Sequence, residues 1–571
     1  MTAEGFICDY TNAQGERVTP VFLSAPFEVI GLARDAHGSG WSVVIRFWDP
    51  DGREKVQLIA RGRLMSGGAD VRADLADVGL EIAPGKGKAE RFCGGLARVK
   101  LAARMILADR TGWSGSAFVM PHRTIGPVGA EPVHFTGESL GLLYSECGEL
   151  DDWKSAIGAM AVGNELLTFA LSAAFAGPLL RPLSIEGGGF HLRGPSSCGK
   201  TTLAMAAGSV WGGGGPLGYA QSWRSTSNAL ESVAAGHSDG LLVLDELSLL
   251  APEEAGAAAY QLASGQAKAR AQTNGAMRRR AEWRLLLLST GETALSAHIE
   301  ASRRGDKVMT GQELRLLDID ADAGKGAGVW SELYGSDAAG VSDAIKNAAG
   351  RCYGLAGPAF LNALVRDRAA ALASAKDIFA GFLEHARESG DTGQAGRGAA
   401  RFAIVASAGE LAAAFGVVPW ERGAASAAAL ALFQRWAAAF GRQAPREERE
   451  ILVRLRNTIL SEGATAFVGL KKDAASTDGE SPESDGRTGE ARQLKAKGFV
   501  FEHEREQFYG FHAGGWKETF AGLDQKNAAK IVAARGFLES ELGRYQKDKK
   551  VSGKKLKLYW VRASIVEHDF G

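Results

Sequence analysis

At 571 residues the chain is longer than one hydrophobic core supports, so three or four domains are expected. Hydrophobic residues at 45% and charged residues at 23% are ordinary for a soluble globular protein, and 66 basic against 66 acidic side chains exclude a global charge that advertises a polyanionic partner. Five scattered cysteines without metal spacing exclude a disulfide framework and suit a reducing cytoplasm, the expected location.

Residues 1–130 read as a β-rich amino-terminal domain. Trp41–Trp48 and Arg53–Ala60 are strand-like runs on either side of the turn Asp49-Pro50-Asp51-Gly52. Trp48, Trp113 and His122 are assigned to packing rather than to ligand binding. Met1–Tyr10 carries Glu4 and Asp9 and lacks the basic segment of a signal peptide. Leu166–Leu180 is apolar but is broken by Gly177-Pro178 and too short for a membrane span. A buried helix is expected there, and no membrane partner.

Residues 131–325 carry the chemistry. Gly194-Pro195-Ser196-Ser197-Cys198-Gly199-Lys200-Thr201 fits G-x-x-x-x-G-K-[ST] without a gap, after a strand at Phe190–Arg193 and before a helix that continues through Thr202. Glycines let the backbone turn its N–H groups toward phosphates at a helix start. Lys200 is assigned to the β- and γ-phosphates of ATP, and Thr201 to Mg²⁺. Leu241–Leu244 is a continuous apolar run ending in Asp245-Glu246, the pattern of a buried parallel strand with carboxylates at its carboxyl end. Asp245 is assigned to Mg²⁺ and Glu246 to the attacking water. A third apolar run, Leu285–Leu288, ends in Ser289-Thr290, and one of these two hydroxyls is the expected γ-phosphate sensor, with Thr290 named first.

Arg303, Arg304 and Arg315 follow that strand. Arg315 adjoins another apolar run and is favoured over Arg304 as a cation supplied to a neighbouring subunit, with an ordinary salt bridge as the alternative. Between Glu246 and the sensor strand lies a basic segment with Asn274-Gly275 at its centre, the sequence of a tight hairpin. Lys268, Arg270, Arg278, Arg279 and Arg280 on its arms are suited to the DNA phosphate backbone, or alternatively to a neighbouring subunit.

Residues 326–470 are alanine-rich, with apolar residues at helical spacing in Phe402–Phe415 and Ala424–Phe440, and form a helical lid or bundle. Arg397 or Arg401 is a candidate lid-borne contact to ATP. Residues 471–493 read as a flexible linker. In 494–571, a helix at Lys526–Arg535, a basic run over Arg544–Lys557 and a strand at Tyr559-Trp560-Val561 follow the order of a winged-helix domain, or of a charged surface hairpin.

The succession of landmarks resembles one family. It comprises Thr111-Gly112-Trp113, Gly194–Thr202, Trp223–Asn228, Leu244–Leu247, Tyr260–Gly265, Ser289–Glu292, Gly311–Asp318, Arg401–Ala403 and Ala408–Ala412. The chain is similar to an uncharacterised bacterial and prophage P-loop family (domain of unknown function 927), related to helicases of mobile elements such as the staphylococcal cassette chromosome. The resemblance implies an α/β protein with an AAA+ core similar to MCM-like and superfamily 3 helicases. It also implies a ring, a hexamer, with single-stranded DNA in its channel. The sensor departs from the Asn usual in superfamily 3. Protein remodelling or defence by an AAA+ machine, and DNA binding by an initiator that uses ATP only to assemble, are the competing readings.

Overall fold

The computed structural model describes residues 5–11, 14–66, 68–137, 143–215, 218–268, 280–302, 314–387, 393–440, 446–472, 480–482, 496–541, 544–551, 554–568 and 570. The chain divides into two compact units, Met1–Ala386 with Gly398–Trp436, and Arg387–Arg397 with Ala437–Gly571.

The first unit opens on a five-stranded sheet in the order Val133–Phe135, Arg104–Ala108, Glu28–Asp35, Ser42–Trp48, Glu54–Ala60. The hairpin expected around Asp49 is formed, because Asp49 Oδ1 accepts the N–H groups of Asp51 at 3.0 Å and Arg53 at 2.9 Å. The helices Arg61–Met65, Ala69–Asp77 and Lys86–Ala97 cover one face of the sheet, with Val71, Leu75, Phe92 and Leu96 against Val43, Ile45 and Phe47. The sequence reading of a mostly β domain lacked these helices, which are short and bounded by Gly68, Gly79 and Gly85. Trp48 is also corrected: it ends its strand beside the turn and is 57% exposed, not packed.

The centre of the unit is a parallel sheet whose strands, in chain order, are β1 (Gly188–Arg193), β2 (Gln221–Ser222), β3 (Leu241–Asp245), β4 (Leu286–Gly291) and β5 (Leu316–Asp320). Their spatial order is β2-β3-β4-β1-β5. Leu241–Leu244 and Leu286–Leu288 are buried along their whole length, which is why they read as unbroken apolar runs. Glu165–Leu180 is the buried helix expected, and it continues through Pro178.

Thr111-Gly112-Trp113 joins the amino-terminal region to this sheet. Asp239, fully buried just before β3, accepts the Trp113 N–H at 2.9 Å and pairs with Arg181 at 2.9 Å and Arg110 at 3.8 Å. Thr111 Oγ1 donates to Gly236 O at 2.9 Å, and Trp113 Nε1 to Pro178 O at 2.8 Å. Gly112 has φ +96°, and a Cβ there would overlap the Asp239 carboxylate. The unit ends in helices that include Ala338–Ala349, Ala356–Arg366 and Arg368–Ala386.

The second unit is built around a sheet of seven strands among the described residues. Its helix Arg446–Ala466, read in sequence as part of the bundle, instead packs Ile451, Leu455 and Ile459 on Phe467, Phe511, Trp516 and Phe520. Within the segment expected to be a linker, Glu480–Pro482 pairs with Phe467–Lys472; residues 473–479 and 483–493 lie outside the described residues. Helix Gln525–Ala534 is followed by the basic strands Lys547–Val551 and Lys554–Arg562, so the helix–hairpin order is present inside a larger sheet. Among the described residues no helix is long and apolar enough to cross a membrane.

Asp239→Ala would leave two arginines without their buried carboxylate and the Trp113 N–H without its acceptor. A loss of about 3 kcal/mol is expected, measured by urea unfolding, with faster proteolysis of the amino-terminal region. Asp239→Asn, which tolerates the same backbone, should lose less.

Candidate nucleotide site

The glycine-rich loop leaves the carboxyl end of β1 and enters helix α1 (Lys200–Ser209). Ser197 at φ +62° and Gly199 at φ +107° give the loop its left-handed bends. A side chain at Gly199 would come within 2.5 Å of Val329 Cγ2. Lys200 is buried, and its Nζ donates to Gly194 O at 2.8 Å and Pro195 O at 2.7 Å, which holds the ammonium within the loop. The result is a glycine-rich loop running into a helix start with a cation held in it, chemistry that suits a polyphosphate.

Opposite the loop, Thr201 Oγ1 donates to the Asp245 carboxylate at 3.2 Å. The same carboxylate accepts from Thr290 Oγ1, and Thr290 Oγ1 accepts the Glu246 N–H at 3.1 Å. Thr201, Asp245, Glu246 and Thr290 therefore come together from α1, β3 and β4. Of the two sensor candidates, Thr290 stands here, whereas Ser289 points to the other face of β4. Glu246 has φ +62° and ψ +80°, a conformation costly for a residue with a Cβ and characteristic of functional sites. Its Oε1 accepts from Ser248 Oγ at 2.5 Å, a contact the sequence reading did not include. A hydroxyl two residues after the glutamate was its only signal.

Ser289 belongs to a buried polar chain. Trp223 Nε1 donates to Ser289 Oγ at 2.8 Å, Ser289 Oγ lies 2.9 Å from His191 Nδ1, and His191 Nε2 lies 3.0 Å from Thr293 O. The Thr293 carbonyl fixes the direction: it can only accept, so the neutral imidazole carries its hydrogen on Nε2, and Nδ1 accepts from the Ser289 hydroxyl. Burial pushes the His191 pKa down to about 4. This chain ties β1 to β4 and gives Trp223, a landmark residue, its role.

The arginines are placed differently from one another. Arg401, on helix α3 (Gly393–Ala414), donates to Leu314 O and, at 3.4 Å, to Gly187 O, at the amino ends of β5 and β1. The phosphate loop is at the other end of β1, about 17 Å along the strand. The expectation that Arg401 contacts bound ATP is therefore corrected: position along a helix cannot report which end of the sheet the side chain reaches. Arg315 also lies at the amino end of β5, its guanidinium 4.1 Å from the centre of the Tyr260 ring. It does not reach the phosphate loop of its own chain. Arg303 and Arg304 lie outside the described residues.

Of the basic hairpin, the structure describes Lys268 and Arg280. Its base is in place: Gln266 pairs antiparallel with Glu282, and Ala267 N–H donates to Ala281 O at 2.9 Å. Arg270, Arg278 and Arg279 lie outside the described residues.

His191 is neutral in the folded chain and titrates near 6.5 when unfolded, so between about pH 6.5 and 4 the unfolded state binds the extra proton. Stability from this group is lost as pH falls, by about 2 kcal/mol between pH 6.5 and 5. Urea unfolding at the two pH values should show a loss smaller by that amount in His191→Gln.

Residues 1–282 match the family model described as "Domain of unknown function (DUF927)". The match ends between the hairpin and β4, so the later landmarks lie beyond it. No curated protein matches the chain. A solved structure titled "SCCmec type IV Cch - active helicase" superimposes with a TM-score of 0.70 at 16% identity, covering 99% of this chain and 98% of that one. At that identity the likeness is one of fold. Over residues 1–282 the chain is thus similar to the DUF927 family, to which the succession of landmarks also points.

Proposed function

We propose that the chain is an AAA+ ATPase that moves along DNA as a hexameric ring, the replicative helicase of a mobile element or prophage. The observation that carries this reading is the meeting of Thr201, Asp245 and Thr290 at the carboxyl end of a parallel sheet. In that sheet β4 lies between the phosphate-loop strand β1 and the carboxylate strand β3. That order is the arrangement of the additional-strand ATPases. The fold likeness, over nearly the whole chain, to a structure titled as an active helicase supports the same reading.

The mechanism assigns each group a task. Gly194–Thr201 wraps the triphosphate in backbone N–H groups, and Lys200 exchanges two carbonyl acceptors for phosphate oxygens. Thr201 and Asp245 present hard oxygen donors 3.2 Å apart, a fit to Mg²⁺, and are the residues that would hold it. The ion supplies charge neutralisation on the phosphates. Glu246, fixed by its backbone and by Ser248, takes the proton of the attacking water. Thr290 links the Asp245 carboxylate to the Glu246 N–H, so that a change at the phosphates is felt by both. Arg315 stabilises the phosphoryl charge in a neighbouring copy. The hairpin rising from Lys268 and Arg280 grips the phosphate backbone of single-stranded DNA inside the ring. In the second unit, the helix and basic hairpin act as a winged-helix-like contact.

Lys200→Ala should abolish ATP binding, and Glu246→Gln should bind ATP and turn over at least about 100-fold more slowly. Equilibrium binding and steady-state hydrolysis check both, and undiminished turnover in Glu246→Gln would remove that residue from the mechanism. Changing Lys268, Arg270, Arg278, Arg279 and Arg280 together to Ala should weaken single-stranded DNA binding across all sequences and flatten its dependence on salt. DNA-stimulated hydrolysis and strand separation should be lost with it. Stimulation that survives these five changes sinks the DNA-channel reading and favours protein remodelling.

A further inference from the structure

Arg315 is held from three directions. Its carbonyl accepts the Gly189 N–H at 2.8 Å, its guanidinium lies 4.1 Å from the centre of the Tyr260 ring, and Arg401 binds the carbonyl of the preceding Leu314. Tyr260 stands on helix α2 (Pro252–Ser264) and is 49% exposed, so the stacked pair lies at the protein surface. Arg401 lies behind it, partly exposed.

The entry of Arg401 has a cost that the surroundings offset. A Cβ on Gly188 would lie 2.5 Å from the Arg401 guanidinium carbon, and Gly188 has φ +148°, so the strand is opened there by a residue without a side chain. Burial lowers the Arg401 pKa to about 10, the Glu186 carboxylate opposes that shift, and the charge of Arg315 adds to it. Two like charges have therefore been brought close together, with the Glu186 carboxylate beside the inner one. A strut that only joined helix to sheet would not need the second cation. A second cation behind Arg315 raises the positive potential at the outer guanidinium, which suits an anionic ligand there.

Resting on the trans role proposed above for Arg315, we infer that Tyr260 and Arg401 are positioning residues that present Arg315, preformed, to the triphosphate bound by a second copy of the chain. Tyr260 restricts the guanidinium through its ring face, and Arg401 fixes the backbone from which the side chain starts. A ring–cation contact at a half-exposed site is weak enough to be exchanged for phosphate oxygens when the partner's nucleotide arrives. Tyr260 lies in the landmark Tyr260–Gly265, and the arrangement assigns that residue a function.

The test measures steady-state hydrolysis by full-length Arg315→Ala, Tyr260→Ala, Tyr260→Phe and Arg401→Lys, alone and mixed with Lys200→Ala subunits. Arg315→Ala should lower kcat by about 1,000-fold, the lower end of the range for arginine fingers. Tyr260→Ala should lower kcat about 3- to 5-fold with KM unchanged, while Tyr260→Phe, which keeps the ring, stays within about twofold of the parent. Arg401→Lys, which cannot span both carbonyls, should fall between Tyr260→Ala and Arg315→Ala. Each impaired subunit should regain activity when mixed with Lys200→Ala, since each retains an intact phosphate loop. If Arg315→Ala hydrolyses ATP normally, the trans reading itself is wrong. If Arg315→Ala is inactive but Tyr260→Ala equals the parent, or Tyr260→Phe is as impaired as Tyr260→Ala, the trans reading stands and the positioning inference is overturned.

Discussion

The carboxyl end of the parallel sheet depends on one carboxylate shared between two hydroxyls. Asp245 accepts from Thr201 on α1 and from Thr290 on β4, so the glycine-rich loop and the neighbouring strand meet through a single side chain. That meeting requires β4 to lie between β1 and β3. It also requires the apolar runs of β3 and β4 to end in register: Leu244 faces Ser289 across the pair, which leaves Asp245 and Thr290 side by side at the edge. A shift of one residue in either strand would turn one of those polar groups into the core.

What the sequence made legible follows from the range of the forces involved. Contiguous motifs stood out because their chemistry is local: a glycine-rich turn into a helix, and an apolar strand ending in carboxylates. Of the expected hairpin, the described residues show the pairing of Gln266 with Glu282, and Asn274-Gly275 lies outside them. The arginines were not legible. Arg401 stands inside a long helix, and nothing nearby in sequence reports that its guanidinium ends under Gly187 and Leu314. The choice between Ser289 and Thr290 was also closed to sequence, because alternation in a strand says they face opposite ways but not which way is toward the site. The amino-terminal helices were lost for a third reason: at 5, 9 and 12 residues they are too short for the apolar period on which helix reading rests to stand out.

The Thr111–Trp113 junction shows how a landmark can be structural and still bear on chemistry. Asp239 stands two residues before β3, and its N–H bonds the carbonyl of Arg284 just before β4. The amino-terminal region is therefore pinned to the starts of the two strands whose ends carry Asp245 and Thr290. Short, fully buried strands transmit a displacement along their axis with little loss, because close packing leaves them no room to bend.

Gly188 and Arg401 are far apart in sequence yet occupy one volume. Neither residue can change alone: a side chain at 188 expels the guanidinium, and loss of the guanidinium leaves Gly187 O and Leu314 O facing a void. Such a pair diverges together or not at all. Among distant chains of this fold, the joint presence of a glycine opening the phosphate-loop strand and an arginine early in the later helix would mark common descent of the clamp, where a search for contiguous motifs finds only the phosphate loop.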